Sequence, residues 1–153
     1  MIRAMTARTN STCIFCIDDA TMPISNDPAD RVVKEYKNWW LVLQPEAKRK
    51  RTKQAAGMLI AKRHVAVPSK LNAEEAAELF AIYKDAGQAL CTSVGVTYTG
   101  QETVGFNEGT MAGQTINHTH VHVLPVAKED PEALKARGGI GGAFEALRSE
   151  RLY

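Results

Sequence analysis

The chain has 153 residues, of which 44% are hydrophobic and 24% charged, and its formal net charge is +2 at pH 7. These values are typical of one globular domain large enough to bury a core, and so small a net charge gives no argument for nucleic-acid binding. No apolar run approaches the roughly 18 residues of a membrane span, and the N-terminus lacks the apolar core of a secretory signal. We therefore expect a soluble, cytoplasmic protein without a membrane partner.

The N-terminal part of the chain contains a Cys-x-x-Cys pair, Cys13 and Cys16. Residues 1–12 are polar, and we expect them to form a flexible segment before a single domain that spans residues 13–153. The chain has 3 cysteines, an odd number that fits a reduced compartment and favours metal binding by the pair over a disulfide. We expect the third, Cys91, to be buried in the core.

Two β-branched and aromatic runs, at residues 31–36 and 39–43, predict a hairpin with its turn at Lys37–Asn38. Trp39 and Trp40 alternate faces on the second strand. One should therefore lie in the core, whereas the other should face a nucleobase or a dimer partner.

A polar connection with the basic run KRKRTK (Lys48–Lys53) follows the hairpin. Such a run suits a solvated loop, but it also suits attraction of polyphosphate substrates or of nucleic acid. The apolar run MLIA, at residues 58–61, predicts a third strand.

The longest predicted element is a helix over residues 73–94. Asn72 and Glu75 form an Asn version of the capping box, and Gly95 suits the end of the helix. Gly87 weakens the helix by about 1 kcal/mol relative to Ala and suggests close packing. Apolar residues at helical spacing predict one buried stripe: Ala76, Leu79, Phe80, Tyr83, Leu90, Cys91 and Val94.

Two further strands are predicted at residues 97–109 and 116–125, joined by a Gly-rich loop. The tail from about residue 126 is polar, with one helical patch and a GGIGG hinge. Because the chain lacks regular βαβ alternation, these elements predict an α+β domain. We expect an antiparallel sheet of about five strands, one long helix and a short C-terminal helix.

Three of the 4 histidines, His118, His120 and His122, alternate along the last predicted strand. Alternation should project their side chains to one face, about 6.5–7 Å apart from one to the next. Such a row can bind a metal, perform acid–base chemistry or surround an anionic substrate. A core cluster is disfavoured because each buried neutral imidazole needs partners for both ring nitrogens.

Phosphoryl chemistry suits these residues, because a neutral imidazole is a nucleophile near pH 7. Flanking imidazoles can offset phosphate charge, and so can backbone N–H groups of the loop GTMAGQT, which directly precedes the histidines. Two zinc arrangements stay open: a catalytic ion on the three histidines, or a closed site of two thiolates and two imidazoles. No carboxylate cluster accompanies the histidines, so we predict no magnesium requirement.

Four segments, in order, resemble signatures of the histidine triad (HIT) family of nucleotide hydrolases and transferases. HTHVHVL resembles the family's His-x-His-x-His motif, and CIFC resembles the Cys-x-x-Cys of zinc-containing bacterial members. GMLIAKRHV and NEGTMAGQT resemble the family's Gly-His-x-Leu-Val-Ile-Pro-Lys-x-His segment and its Asn-x-Gly…Ala-Gly-Gln-Ser/Thr loop. The resemblance spans residues 13–125. Thr119 and Ala61 depart from the pattern, as does the long basic connection between Val42 and Met58.

The resemblance implies that His120 is the nucleophile and forms a covalent nucleotidyl intermediate. The His118 carbonyl would fix its tautomer, and His122 would contact the phosphate and the leaving-group side. Contacts to phosphate, leaving group or ribose are implied for Gln44, Asn107, Gly113, Gln114 and Thr115, with Thr115 also assigned to the catalytic set. A structural zinc is implied on Cys13, Cys16, His64 and His118.

We therefore expect a hydrolase of nucleoside phosphoramidates, nucleotidyl anhydrides or dinucleoside polyphosphates that releases a nucleoside monophosphate. The resemblance also implies a purine nucleotide substrate and a homodimer. One alternative is a nucleotidyltransferase or phosphorylase of the same superfamily, although Thr119 and the chain length disfavour its galactose-phosphate branch. The other is a nucleotide- or nucleic-acid-binding module that uses the basic run.

Overall fold

The computed structural model describes residues 13–16, 31–45 and 55–130. It contains a five-stranded antiparallel sheet and one long helix, which confirms the predicted α+β class. The elements are β1 (Val32–Glu35), β2 (Trp39–Leu43), β3 (Gly57–Ala61), α1 (Ala73–Ser93), β4 (Tyr98–Gly105) and β5 (His120–Ala127). The strands lie in the order β1-β2-β3-β5-β4.

Three expectations fall outside the described residues: the flexible segment 1–12, the basic run Lys48–Lys53 and the C-terminal helix with its hinge. In the part of the chain that the structure describes, no helix is long and apolar enough to cross a membrane.

The predicted hairpin is confirmed. The N–H of Tyr36 donates to the carbonyl of Trp39 over 2.9 Å, which closes the turn at Lys37–Asn38. Trp39 is fully buried on the side of the sheet that α1 covers. Trp40 is buried as well, in a cluster on the opposite face. Neither indole is therefore an exposed platform.

Helix α1 begins at the predicted residue, Ala73, and ends at Ser93, one residue before the predicted end. The side chain of Asn72 accepts from the N–H of Glu75 over 2.8 Å, and Glu75 accepts in return from the N–H of Asn72 over 2.9 Å. At the other end Gly95 has a φ of +73°, the left-handed conformation that glycine adopts without strain.

The prediction that Phe80 belongs to the buried stripe of α1 is wrong, because 78% of it is exposed. Leu79, Ala86 and Leu90 face the sheet. Phe80 follows Leu79 by about 100° around the helix axis, which turns its ring away from the core. The buried residues of the helix are Glu75, Leu79, Ala86, Gly87, Leu90 and Cys91.

The sheet has two different faces. Leu41, Leu59 and Val121 pack beneath α1. Trp40, Val42, Met58 and Ile60 lie on the other face with Phe15, which belongs to the Cys-x-x-Cys segment. We call this second set the Phe15 cluster.

Strand pairing places two histidines on the face of the Phe15 cluster. His120 pairs with Ile60, and His122 pairs with Met58. Directly paired residues of antiparallel strands project to the same face. The sheet therefore separates the histidine side chains from helix α1.

The last strand begins later than predicted, at His120 instead of residue 116, and it continues past Pro125 to Ala127. Before it, the N–H of Thr119 donates to Val65 over 2.7 Å, and the carbonyl of Thr119 accepts from Ala61 over 3.1 Å. Pro125 fits inside the strand because β3 pairs with β5 only as far as Val123.

Candidate active site and metal centre

Two cysteines meet two histidines that are distant in the chain. The Sγ of Cys13 lies 3.4 Å from Nδ1 of His118, and the Sγ of Cys16 lies 3.2 Å from Nδ1 of His64. The two Nδ1 atoms are 3.1 Å apart, and all four ligand atoms lie within 4.8 Å of one another. Metal–ligand bonds of a tetrahedral zinc site place its ligand atoms about 3.3–3.8 Å apart. Both the distances and the donor set therefore fit a tetrahedral metal ion.

His118 contributes to this cluster from a turn before β5, so the expected row of three histidines on one strand is wrong. Only His120 and His122 lie on β5. Among the described residues, the cluster of Cys13, Cys16, His64 and His118 is the one group of three or more His, Cys, Asp or Glu that could hold a metal. The structure thus favours the closed site over a zinc on three histidines.

The second ring nitrogen of His118 determines which nitrogen can bind a metal. Its Nε2–H donates to the carbonyl of Ala61 over 2.6 Å, so in the neutral ring the lone pair lies on Nδ1, which faces the cysteines. Burial lowers the pKa of His118 to about 4. The ring is therefore neutral near pH 7, as a metal ligand must be.

His120 has the opposite tautomer. Its Nδ1 lies 2.8 Å from the carbonyl oxygen of His118. Because a carbonyl can only accept, Nδ1 carries the proton, and in the neutral ring the lone pair lies on Nε2. Two successive histidines of the motif thus have opposite tautomers: the lone pair of His118 lies on Nδ1, which faces the cysteines, whereas the lone pair of His120 lies on Nε2.

The ring of His120 lies between two other rings. Its centroid is 5.5 Å from that of His122, at an interplanar angle of 80°, and 5.0 Å from that of Phe15, at 73°. Phe15 is fully buried and also contacts the ring of His118 edge-on. Phe15, one of the two residues between the cysteines, therefore contacts both His118 of the Cys–His cluster and His120. The sequence analysis missed Phe15, since an apolar residue inside a Cys-x-x-Cys loop carries no distinguishing signal.

Several backbone N–H groups of the Gly-rich loop before the histidines donate to carbonyls of the same loop. The N–H groups of Ala112 and Gln114 donate to the carbonyl of Gly109, each over 3.1 Å, and that of Gly113 donates to Thr110 over 3.0 Å. The hydrogen bonds of the described residues leave three N–H groups of the loop without a protein partner: those of Thr110, Met111 and Thr115. These three are therefore the N–H groups of the loop that remain available to a phosphate.

Gln114 is buried, and its carboxamide bonds within the protein. Oε1 accepts from the N–H of Gly109 over 2.8 Å, and Nε2 donates to the carbonyls of Ala66, over 2.7 Å, and Ile116, over 2.9 Å. The side chain thus joins the loop to two other segments.

Of the other expected substrate-binding residues, Asn107 and Gln44 follow the ends of β4 and β2, and Gly113 lies against Asn107. A Cβ atom at Gly113 would lie 3.5 Å from Nδ2 of Asn107, so these two residues are in contact. Asn107 lies just beyond Gly105, which pairs with His122. Gln44 is buried beyond the end of β2, and its N–H donates to Ala56 over 2.9 Å.

Residues 48–129, more than half of the chain, match the sequence profile of the HIT domain. A HIT family protein from Bacillus anthracis is 25% identical, with a TM-score of 0.56 over 78% of this chain and 76% of that one. A Zn-bound histidine triad family protein from Mycobacterium smegmatis is 20% identical, with a TM-score of 0.55 over 90% of this chain and 91% of that one.

A HIT family hydrolase from Legionella pneumophila is 24% identical, with a TM-score of 0.52 over 74% of this chain and 91% of that one. The Mycobacterium and Legionella structures share the fold. No curated protein sequence matches the chain. Because the HIT-domain match covers more than half of the chain and includes the histidine segment, the chain belongs to the histidine triad (HIT) family.

Proposed function

We propose that the protein hydrolyses nucleoside phosphoramidates, nucleotidyl anhydrides or dinucleoside polyphosphates and releases a nucleoside monophosphate, with a purine as the expected base. The hydrogen bond from Nδ1 of His120 to the carbonyl of His118 carries this proposal. It holds the lone pair of His120 on Nε2 of a ring on the face opposite α1, next to His122. Membership in the HIT family supports the same chemistry.

In the proposed reaction, Nε2 of His120 attacks the α-phosphorus. The P–N bond to His120 forms while the bond to the leaving group breaks, and the leaving group takes the electron pair and, where it is an amine, a proton from solvent. Water then attacks the same phosphorus and releases a proton to solvent, the P–N bond to His120 breaks with its electron pair returning to Nε2, and the nucleoside monophosphate departs. His122 and Thr115 are proposed to stabilise the phosphate charge in both steps.

We propose zinc as the metal of the Cys13, Cys16, His64 and His118 cluster. When bound, zinc would act as a structural cross-link that fixes the Cys-x-x-Cys segment against the turn entering β5. The predicted independence from magnesium stays a prediction.

We further propose a homodimer whose interface includes the groove between α1 and β4. This groove has a volume of about 500 Å³ and is lined by Leu79, Tyr83 and two exposed rings, Phe80 and Phe106, that are 78% and 49% exposed. Strand β4 is an edge of the sheet, where another strand can pair. Sedimentation should give a dimer for the wild type and a monomer for Phe80→Asp; a monomeric wild type would overturn the proposal.

The proposed function is tested by a hydrolysis screen with AMP-phosphoramidate, an AMP–lysine adduct and dinucleoside polyphosphates. Mass spectrometry of the quenched reaction should find the nucleotidyl group on the peptide of residues 117–125. A failure to hydrolyse any of these compounds, or an adduct on another peptide, would contradict the proposal. An acceptor that outcompetes water would instead indicate a transferase. If the protein turns over none of these compounds but binds nucleic acid, and this binding weakens steeply as the salt concentration rises, the result would indicate a nucleic-acid-binding module.

A further inference from the structure

The carboxamide of Gln114 has no donor left for a ligand. A primary amide has two N–H donors, and both of those of Gln114 are used, one by the carbonyl of Ala66 and one by that of Ile116. A phosphate offers only acceptors. Gln114 therefore cannot donate to a phosphate unless it first gives up one of these part-buried hydrogen bonds. Release of Ala66 costs more, because the carbonyl of Ile116 also accepts from the N–H of His118 over 2.9 Å, whereas that of Ala66 has no other donor among the described residues.

The same side chain connects three parts of the site. Ala66 lies two residues after His64, a residue of the metal cluster, and Ile116 lies two residues before His118. Gly109, whose N–H donates to Oε1 of Gln114, begins the tight turn of the loop. The loop is thus fastened to the segments that carry both metal-binding histidines.

Of the loop N–H groups without a protein partner among the described residues, that of Thr115 is nearest in the sequence to the histidines, where the proposed reaction takes place. The next residue, Ile116, packs on the Phe15 cluster, which lies on the same face as His120. Thr110 and Met111 belong to the turn further from the histidines, and Met111 is fully exposed. Fixing Gln114 and Ile116 fixes the backbone of Thr115 between them.

We propose that Gln114 is a positioning residue: it holds the loop so that the N–H and hydroxyl of Thr115 reach the phosphate, and it does not contact the substrate itself. This inference rests on the proposed hydrolysis.

The kinetic test uses Gln114→Glu, which keeps the size of the side chain but replaces both donors with acceptors that face carbonyl oxygens. We expect kcat/KM to fall at least tenfold, and by the same factor for a phosphoramidate and for a dinucleoside polyphosphate. The matched control, Gln88→Glu, changes an exposed residue of α1 outside the proposed dimer groove and should leave both values unchanged. A loss that depends on the leaving group would indicate that Gln114 contacts it, and would overturn the inference.

Coupling between Gln114 and Thr115 separates positioning from a general loss of structure. If Gln114 acts through Thr115, the double variant Gln114→Glu/Thr115→Val should be no less active than the worse single variant. Amide hydrogen exchange at Gly109 should accelerate in Gln114→Ala, which removes the Oε1 acceptor, and stay unchanged in Thr115→Val. Additive losses in the double variant would contradict the inference.

An NMR experiment on the wild-type protein tests the inference without a variant that could fail to fold. Titration of the protein with AMP, followed by NMR, should shift the backbone N–H of Thr115 and leave the side-chain NH₂ signals of Gln114 in place. A larger shift at the Gln114 side chain would overturn the positioning role even if hydrolysis is found. Conversely, an absence of hydrolysis with these shifts intact would reject the proposed function and leave the loop geometry standing.

Discussion

The carbonyl oxygen of His118 lies 2.8 Å from Nδ1 of His120. One residue thus has two roles through different groups: its ring faces the cysteines, and its backbone fixes the proton of the next histidine in the motif. Because the ring of His118 is also held by Ala61 over 2.6 Å, the carbonyl has little freedom to turn away. His118 therefore links the predicted metal site directly to the proposed nucleophile, His120.

The first prediction concerns the nucleophile. His120→Ala should lower kcat by about 10⁶, roughly 8 kcal/mol of barrier, because removal of an enzyme nucleophile has effects of this size. The fold should survive, since the ring of His120 is only half-buried. Added imidazole should partly restore His120→Gly. If His120→Ala keeps more than about a tenth of wild-type kcat, the attack by this residue is ruled out.

The second prediction concerns the metal. Protein purified without added zinc should contain about one equivalent of zinc per chain, because the four ligand atoms are already close together. Cys13→Ser should lose most of the metal and unfold at a lower temperature, whereas Cys91→Ser changes a core thiol outside the cluster and should keep its zinc. The assignment would be contradicted if the wild-type protein, purified in the same way, contained no metal and melted at the same temperature as Cys13→Ser.

Elements that depend on local signals could be predicted from the sequence. The capping box of Asn72 and Glu75 involves residues three positions apart, and the turn at Lys37–Asn38 involves adjacent ones. Their hydrogen bonds form within one stretch of chain, so composition and spacing indicate them directly. The sheet order, in which β5 lies between β3 and β4, requires long-range pairing that no local pattern specifies.

The errors arise where tertiary contacts override a local pattern. Strict alternation predicts one strand through all three histidines, but the buried ring of His118 faces Cys13 and Cys16, and the chain turns there before β5 begins. The hydrogen-bond partners of the Gln114 amide are also set by tertiary contacts that its motif does not specify. Its partners include Ala66, 48 residues away in the chain.

The third prediction concerns Thr119, which departs from the family pattern. It is fully buried, and its hydroxyl has no hydrogen-bond partner among the described residues. Thr119→Val keeps the shape and removes this unpaired group, so the free energy of unfolding should stay equal or rise by about 1 kcal/mol. In the control Thr99→Val, a hydroxyl that donates to Val126 over 2.8 Å is lost, and stability should fall. Marked destabilisation by Thr119→Val alone would show that its hydroxyl is paired in solution.

The fourth prediction compares two buried glycines. A Cβ at Gly57 would lie 2.5 Å from Cδ2 of Leu90 and 2.6 Å from the carbonyl oxygen of Val42, so Gly57→Ala should destabilise by about 3 kcal/mol. A Cβ at Gly87 would lie 3.4 Å from the ring of Tyr98, an ordinary contact. Gly87→Ala should therefore stabilise by up to about 1 kcal/mol through helix propensity. Chemical denaturation measures both changes, and equal destabilisation by both would contradict the packing described for α1.

The fifth prediction concerns pH and the buried carboxylate of Glu75. Hydrogen bonding from the Arg63 guanidinium, over 2.8 and 3.2 Å, holds the pKa of Glu75 below its usual value, and the backbone N–H of Asn72 contributes further. A carboxyl whose folded pKa is depressed stabilises the protein fully above the unfolded pKa of about 4.3. This stabilisation is lost as the pH falls through the folded value.

Glu75→Gln should therefore lower the melting temperature by a few degrees at pH 7, and this difference from the wild type should shrink as the pH falls below about 4. Comparison at each pH removes the effect of metal release, which both proteins share. Glu74→Gln, which changes an exposed neighbour in the same helical turn, should show a much smaller difference at pH 7. A melting-temperature difference between Glu75→Gln and the wild type that stays constant from pH 7 to pH 3 would show that the charge of Glu75 does not stabilise the fold.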